Sequence, residues 1–171
     1  MFKLRDMVFE DCEALLPCGV DEEARQFFDP SIFVDLESLQ RSANDFFLKL
    51  AETTIVPPQI IEVDDKVVGI IYFCYLKEKD GQNQTELGFV LHKDYRGKGI
   101  VSQASKEMLD IAFKQLKVDF VCISCYPENL GSIGVAKKLG MSFDHFWESN
   151  GEKICLYKIN KSEYSSIKRG V

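Results

Sequence analysis

Glu86-Leu87-Gly88-Phe89-Val90-Leu91-His92-Lys93-Asp94-Tyr95-Arg96-Gly97-Lys98-Gly99-Ile100-Val101 changes texture twice within a short span. Its apolar opening, Thr85 to Leu91, reads as a strand. His92 to Gly99 is a basic, glycine-containing loop. From Ile100 onward, Ala104, Met108, Ala112 and Leu116 lie on one i, i+4 stripe, the signature of a helix with a single buried face. A strand that passes through such a loop into a helix suits a pyrophosphate. The first N–H groups of a helix have no partner within it, its dipole favours an anion, and Gly97 and Gly99 let the backbone approach phosphate oxygens. Arg96 and Lys98 add positive charge. Taken alone, the two glycines fit a plain tight turn with solvated cations better than a phosphate site, so context has to decide. A Rossmann fingerprint requires glycine at 102, where Ser102 stands, and a Walker A loop requires it at 92, where His92 stands.

Working outward, residues 2 to 5 read as a first strand. An amphipathic segment from Phe9 to Leu16 is expected to stop at Pro17 and Gly19, and helical stretches follow near Asp21 to Phe28 and Glu37 to Glu52. From Gln59 the period shortens: Ile60, Ile61 and Val63, an Asp64-Asp65 turn, then Val67 to Lys77 form a hairpin. Asp80-Gly81 leads into Thr85 to Leu91, completing an antiparallel meander. After the central helix come a strand from Phe120 to Cys125, a break at Pro127 and a short helix from Asn129 to Leu139, stopped by Gly140. A last hairpin runs from Phe143 to Ser149 and from Glu152 to Ile159 about Asn150-Gly151. The order is mixed α/β, without repeats or a dividing linker, and points to one domain over residues 1–171.

Composition sets the outer bounds. At 171 residues and 46% apolar the chain can bury one core. A net charge of −6, with no dense block of Lys or Arg, argues against nucleic acid as a partner. The longest apolar runs fall well short of the roughly 20 residues of a membrane helix, and the start lacks a signal peptide's apolar core, so no membrane partner and a cytoplasmic location are expected. Cys122-Ile123-Ser124-Cys125 has a zinc-like spacing, but in a strand the two thiols face opposite sides. Buried free thiols and no metal site are the expectation. His92 and His145 have no metal spacing either.

Tyr95-Arg96-Gly97-Lys98-Gly99-Ile100 resembles the GNAT acetyltransferase motif Arg/Gln-x-x-Gly-x-Gly/Ala, which binds the acetyl-CoA pyrophosphate. Pro127-Glu128-Asn129-Leu130-Gly131-Ser132-Ile133, followed by Lys138-Leu139-Gly140-Met141, is similar to that family's Asn-x-x-Ser/Ala-Ile helix and its Lys-Leu-Gly-Phe end. Glu86-Leu87-Gly88 at the head of the fourth strand matches too, so the resemblance covers about the whole chain. Asn129 and Ser132 are closest to the branch that acetylates ribosomal-protein N-termini. The resemblance implies an acyl-CoA N-acyltransferase fold: a twisted, mostly antiparallel sheet of about seven strands with helices on both faces. It also implies transfer of acetyl from acetyl-CoA, the acyl donor, to an amine acceptor, either a small molecule or a protein N-terminus, without a metal, by a monomer or homodimer.

The family's functional positions carry over as acetyl-CoA contacts at Phe89, Val90, Leu91, Arg96, Gly97, Lys98, Gly99, Ile100, Val101, Ser102, Asn129 and Ser132. The backbone of Phe89, Val90 and Leu91 is expected to hold pantetheine like an added strand, with the Val90 N–H polarising the thioester carbonyl. Glu86 is the candidate base, directly or through a water; an ordinary strand-edge carboxylate is its other reading. Asn129 suits both a helix N-cap and a pantetheine ligand. Ser132 suits either a proton donor to the leaving thiolate or a hydrogen bond to pantetheine. Two departures stand out. Val101 occupies a position usually Gly or Ala and is expected to narrow the space over the pyrophosphate. Ala136 occupies the position where many members place a proton-donating Tyr. Trp147, Phe146, the Asn150-Gly151 hairpin and the Phe27-Phe28 pair are expected to border the acceptor groove. A non-catalytic acyl-CoA-binding module and a dinucleotide-binding oxidoreductase are the competing functions.

Overall fold

The computed structural model describes residues 2–27, 31–47, 49, 56–79 and 81–169. Seven strands, β1 (Phe2–Asp6), β2 (Gln59–Val63), β3 (Lys66–Lys79), β4 (Gln82–Leu91), β5 (Phe120–Cys125), β6 (Ser142–Ser149) and β7 (Glu152–Asn160), form one sheet in the order β1-β2-β3-β4-β5-β7-β6. Every neighbouring pair is antiparallel except β4 and β5. Six helices accompany it among the described residues: α1 (Cys12–Gly19), α2 (Glu22–Phe27), α3 (Leu36–Ser42), α4 (Ile100–Ile111), α5 (Leu130–Lys138) and α6 (Lys161–Lys168). None is long and apolar enough to cross a membrane.

Apolar doublets in the central strands explain the layering. Successive strand residues face opposite sides, so a strand covered on both faces needs consecutive apolar residues. Ile61, Ile71 and Phe73 enter the core shared with α4, whereas Ile60, Ile70 and Tyr72 enter a second core with α1 and α3, where Leu15, Leu39 and Phe47 are fully buried. Helices thus cover both faces, as the family resemblance implies. The expected stripe is present: Ala104 and Met108 on α4, and Ala112 immediately after it, have no exposed surface. Both two-residue hairpins form where turn chemistry placed them. Asp64 and Asp65 take φ of 50° and 61°, and Asn150 and Gly151 take 52° and 81°, the left-handed values that such turns require.

Three elements differ from the sequence expectation. α1 does not stop before Pro17 but carries it inside and ends at Gly19. Proline removes one helical hydrogen bond, a cost limited here because the helix closes within a turn, and Phe33 packs so closely on Gly19 that a Cβ there would lie 2.3 Å from its ring. α2 ends at Phe27, while Phe28, Leu50, the end of the third expected helix and Asp80 lie outside the described residues. α6 was not expected at all. It opens with a capping box, in which the Glu163 N–H donates to Asn160 Oδ1 at 2.9 Å and the Asn160 N–H donates to Glu163 Oε2 at 2.8 Å. Tyr164 anchors it, 6% exposed, its ring 5.4 Å from Phe113 and its hydroxyl donating to the Lys106 carbonyl at 3.0 Å. Tyr164→Ala is therefore expected to destabilise the fold by about 3 kcal/mol, and Tyr164→Phe by about 1 kcal/mol. Urea denaturation of both variants checks the pair.

Candidate active site

β4 and β5 pair at Gln84↔Phe120, Thr85↔Val121 and Glu86↔Cys122 and then part, although β4 runs on to Leu91 and β5 to Cys125. A wedge opens between them. The direction of the β4 backbone inside it follows from two fixed points. Asn83 faces β5, since its N–H donates to Asp119 Oδ2 at 2.9 Å and its carbonyl accepts the Asp119 N–H at 2.7 Å. His92 faces β3, its N–H donating to the Val68 carbonyl at 2.8 Å. Alternation along the strand then turns Leu87, Phe89 and Leu91 into the wedge and Val90 toward β3, where it is in register with Ile70. The Val90 N–H, expected to polarise the thioester, thus faces β3, and the donors directed into the wedge are its neighbours.

Beyond Leu91 lies the glycine loop. Gly97 and Gly99 adopt φ of 74° and 77°, and no heavy atom lies within 4 Å of where a Cβ would sit on either, so the space above them is open. Gly99 caps α4 without a side-chain bond, and the first intrahelical donor is Gln103, to Gly99 O at 3.0 Å. The N–H groups of Ile100, Val101 and Ser102 accordingly have no acceptor within the helix. Val101 does not overhang the loop: its side chain is packed in the core beneath α4, 9% exposed. Lys98 is exposed, its ammonium 5.3 Å from the Tyr95 ring. Arg96 is committed elsewhere. Its Nη atoms donate to Asp21 at 2.7 and 2.9 Å and to Glu23 at 3.1 Å, and its Nε donates to the Leu91 carbonyl at 3.0 Å.

At the apex of the wedge, burial raises the pKa of Glu86, while hydrogen bonding from Ser124 and Tyr75 and the charge of Lys77 pull it back. Gly88, two residues on, is in close approach to Tyr72: a Cβ there would lie 2.7 Å from the ring. Across the wedge, Asn129 caps α5 through Oδ1, which accepts the Ser132 N–H at 3.0 Å and leaves the amide nitrogen as a donor. Ser132 is half-buried on the cleft side of α5. Ala136 is fully buried in the core. Cys122 and Cys125 are buried free thiols.

Glu86, Gly88, Gly97, Gly99, Asn129 and Ser132 line one cleft of about 710 Å³, which also reaches the β6–β7 hairpin. Its lining also includes Trp147 and Asn150 from the hairpin, Tyr126 and Glu152, and Glu23 and Phe27 from α2, with Glu23 beside Arg96. Tyr126 is a residue that sequence reading missed. Its hydroxyl donates to Glu152 Oε2 at 2.6 Å and its ring lies 6.2 Å from Phe27, closing one side of the cleft. Phe146 is not part of this wall; it carries the Lys153 ammonium 3.7 Å above its ring.

Residues 2–142 match the acetyltransferase (GNAT) domain family. An uncharacterized N-acetyltransferase of Bacillus subtilis (strain 168), YnaD, is 25% identical over 92% of this chain and 86% of its own length. Among solved structures, the ribosomal L7/L12 α-N-protein acetyltransferase RimL in complex with coenzyme A has a TM-score of 0.79 at 17% identity, covering 93% of both chains. The aminoglycoside acetyltransferase AAC(6')-Ib in complex with coenzyme A has a TM-score of 0.80 at 13% identity, covering 98% of this chain and 99% of its own. The wedge, the glycine loop and the capped α5 are accordingly parts of an acetyl-CoA-dependent N-acetyltransferase, and the chain belongs to the GNAT family.

Proposed function

We propose that this enzyme transfers acetyl from acetyl-CoA to a primary amine by direct attack in a ternary complex, with a peptide N-terminal α-amine as the acceptor to test first. The observation that carries the reading is a desolvated carboxyl, Glu86, at the point where β4 and β5 part. The pyrophosphate is held by the N–H groups of Ile100, Val101 and Ser102 over Gly97 and Gly99, with Lys98 adding charge. Pantetheine lies along the free edge of β4, contacting Phe89, Val90 and Leu91 and the Asn129 amide, with Ser132 on the facing helix. The Phe89 N–H, turned into the wedge and nearer to Glu86 than that of Leu91, donates to the thioester carbonyl. Such a donor contributes about 2.7–4 kcal/mol to lowering the barrier.

Glu86 accepts the proton of the amine, directly or through a water. The nitrogen lone pair forms the new C–N bond, and collapse of the tetrahedral oxyanion breaks the C–S bond and releases CoA thiolate. A raised carboxylate pKa makes Glu86 a stronger base than an exposed Glu. An α-amine, with a pKa near 8, asks less of it than a lysine near 10.4. Ala136 supplies no acid. A thiol with a pKa of about 8.5 leaves adequately as its anion, which Ser132 can hydrogen-bond. The competing function, an acyl-CoA-binding module without turnover, takes its support from Ala136, and turnover of any amine excludes it.

In calorimetric titration, wild type is expected to bind acetyl-CoA and Gly99→Glu to lose that binding, because the variant places a carboxylate where the phosphates sit. Absence of binding to wild type overturns the function. Glu86→Gln is expected to lower kcat/KM by about 10²–10⁴-fold, read on a panel of a free-N-terminus peptide, an N-blocked lysine peptide, a polyamine and an aminoglycoside. The same variant has a stability signature. The folded state holds the Glu86 proton to higher pH than the unfolded chain does, so wild-type stability falls as pH rises from the ordinary carboxylate pKa through the raised one, then levels off. Glu86→Gln lacks this loss. Its urea midpoint relative to wild type is expected to be higher at about pH 7 than at about pH 4.

A further inference from the structure

α2 forms part of the acceptor side of the cleft through Glu23, Ala24 and Phe27, yet none of its residues is buried. Helices in globular proteins are held mainly by an apolar face, and six residues are far too few for a helix to persist alone. Polar contacts do the holding. Asp21 Oδ1 accepts the Ala24 N–H at 3.1 Å and so caps the helix. The same carboxylate receives both Nη atoms of Arg96, a residue 75 positions away in the nucleotide loop, while Arg96 Nε is fixed on the Leu91 carbonyl. The side chains of Asp21 and Arg96 are 15% and 27% exposed, so the fork is shielded from much of the screening that weakens surface pairs.

We infer that Arg96 and Asp21 are positioning residues: their ion pair straps α2 to the nucleotide loop, so that a ligand ordering the loop also orders the acceptor wall. The inference rests on the acetyltransferase reading only for what the two ligands are. A ligand that restrains the backbone at Gly97 and Gly99 restrains the residue between Tyr95 and Gly97, and the planar fork passes that restraint to Asp21 and the first turn of α2. Phe27, at the other end of α2, is then held toward Tyr126, whose hydroxyl is bonded to Glu152. Acetyl-CoA thereby removes part of the ordering cost that the amine would otherwise meet, and the two bind with positive coupling.

Amide hydrogen exchange over residues 22–27 tests this with and without acetyl-CoA, in wild type, Asp21→Asn and Arg25→Gln. Asparagine keeps the oxygen that caps Ala24 but loses the charge that grips Arg96. Arg25 is an exposed cation on the same helix outside the pair. In Asp21→Asn, exchange over 22–27 is expected to quicken about tenfold, and acetyl-CoA, which slows it in wild type and Arg25→Gln, is expected to leave it unchanged. The KM of a free-N-terminus peptide is expected to rise about tenfold while the Kd of acetyl-CoA stays within about threefold. Unaltered exchange in Asp21→Asn overturns the strap, as does an equal effect in Arg25→Gln. A changed acetyl-CoA Kd with unaltered exchange assigns Arg96 to the phosphates instead. If wild type binds no acetyl-CoA, the acetyltransferase reading fails on its own, whereas normal binding beside unchanged exchange isolates failure of the strap.

Discussion

Three parallel residue pairs between β4 and β5 join two otherwise antiparallel assemblies. β1 to β4 form one and β5 to β7 the other, each paired internally along nearly its whole length. Because each strand is already committed to an antiparallel neighbour, and sheets twist with a fixed hand, the two halves diverge once the short parallel contact ends at Glu86 and Cys122. Divergence leaves backbone groups of Leu87, Phe89 and Leu91 at an inner edge without a neighbouring strand. Backbone donors and acceptors away from bulk water require partners, and the pantetheine proposed to lie along this edge would supply them in the way an added strand does.

The same divergence sets the chemistry at the apex. Glu86, the last β4 residue paired with β5, is partly buried, so its carboxyl is harder to ionise, and it lines the cleft. Hydrogen bonds from Ser124 and Tyr75 limit the shift, which suits the base role proposed for this group. Burial, and next the charge of Glu86, also push the Cys74 and Cys122 thiols up, to about 12 and about 11. Thiols held this firmly protonated are poor nucleophiles.

What the sequence made legible were features settled within a few residues. The doublets Ile60-Ile61 and Ile70-Ile71 announce strands covered on both faces, and Asp64-Asp65 and Asn150-Gly151 announce hairpins, because turn conformation is a local property. The Gly97/Gly99 spacing located the loop for the same reason. α6 was legible and overlooked: Asn160-x-x-Glu163 is a capping box in plain view. The direction of the Val90 N–H was not legible, since it depends on which neighbour each edge of β4 faces. Val101 was misplaced because its side-chain direction depends on how α4 rolls onto the sheet. The partner of Arg96 is 75 positions away, and no local pattern encodes it.

Arg96 carries a wider lesson about cations in anion-binding loops. A guanidinium held by Asp21, Glu23 and a carbonyl makes four hydrogen bonds with its five N–H donors, and the three charged side chains together sum to −1, so this cluster brings no net positive charge to an anion. In the proposed function, attraction then rests on the N–H groups at the start of α4 that have no acceptor within the helix and on Lys98. Those groups act at close range, and they are effective only if the loop backbone keeps its shape, which the left-handed Gly97 and Gly99 permit and the bond from Arg96 Nε to the Leu91 carbonyl, local to the loop, supports. In a chain whose net charge is −6, local backbone dipoles held rigid are a more dependable way to receive an anion than a mobile basic side chain.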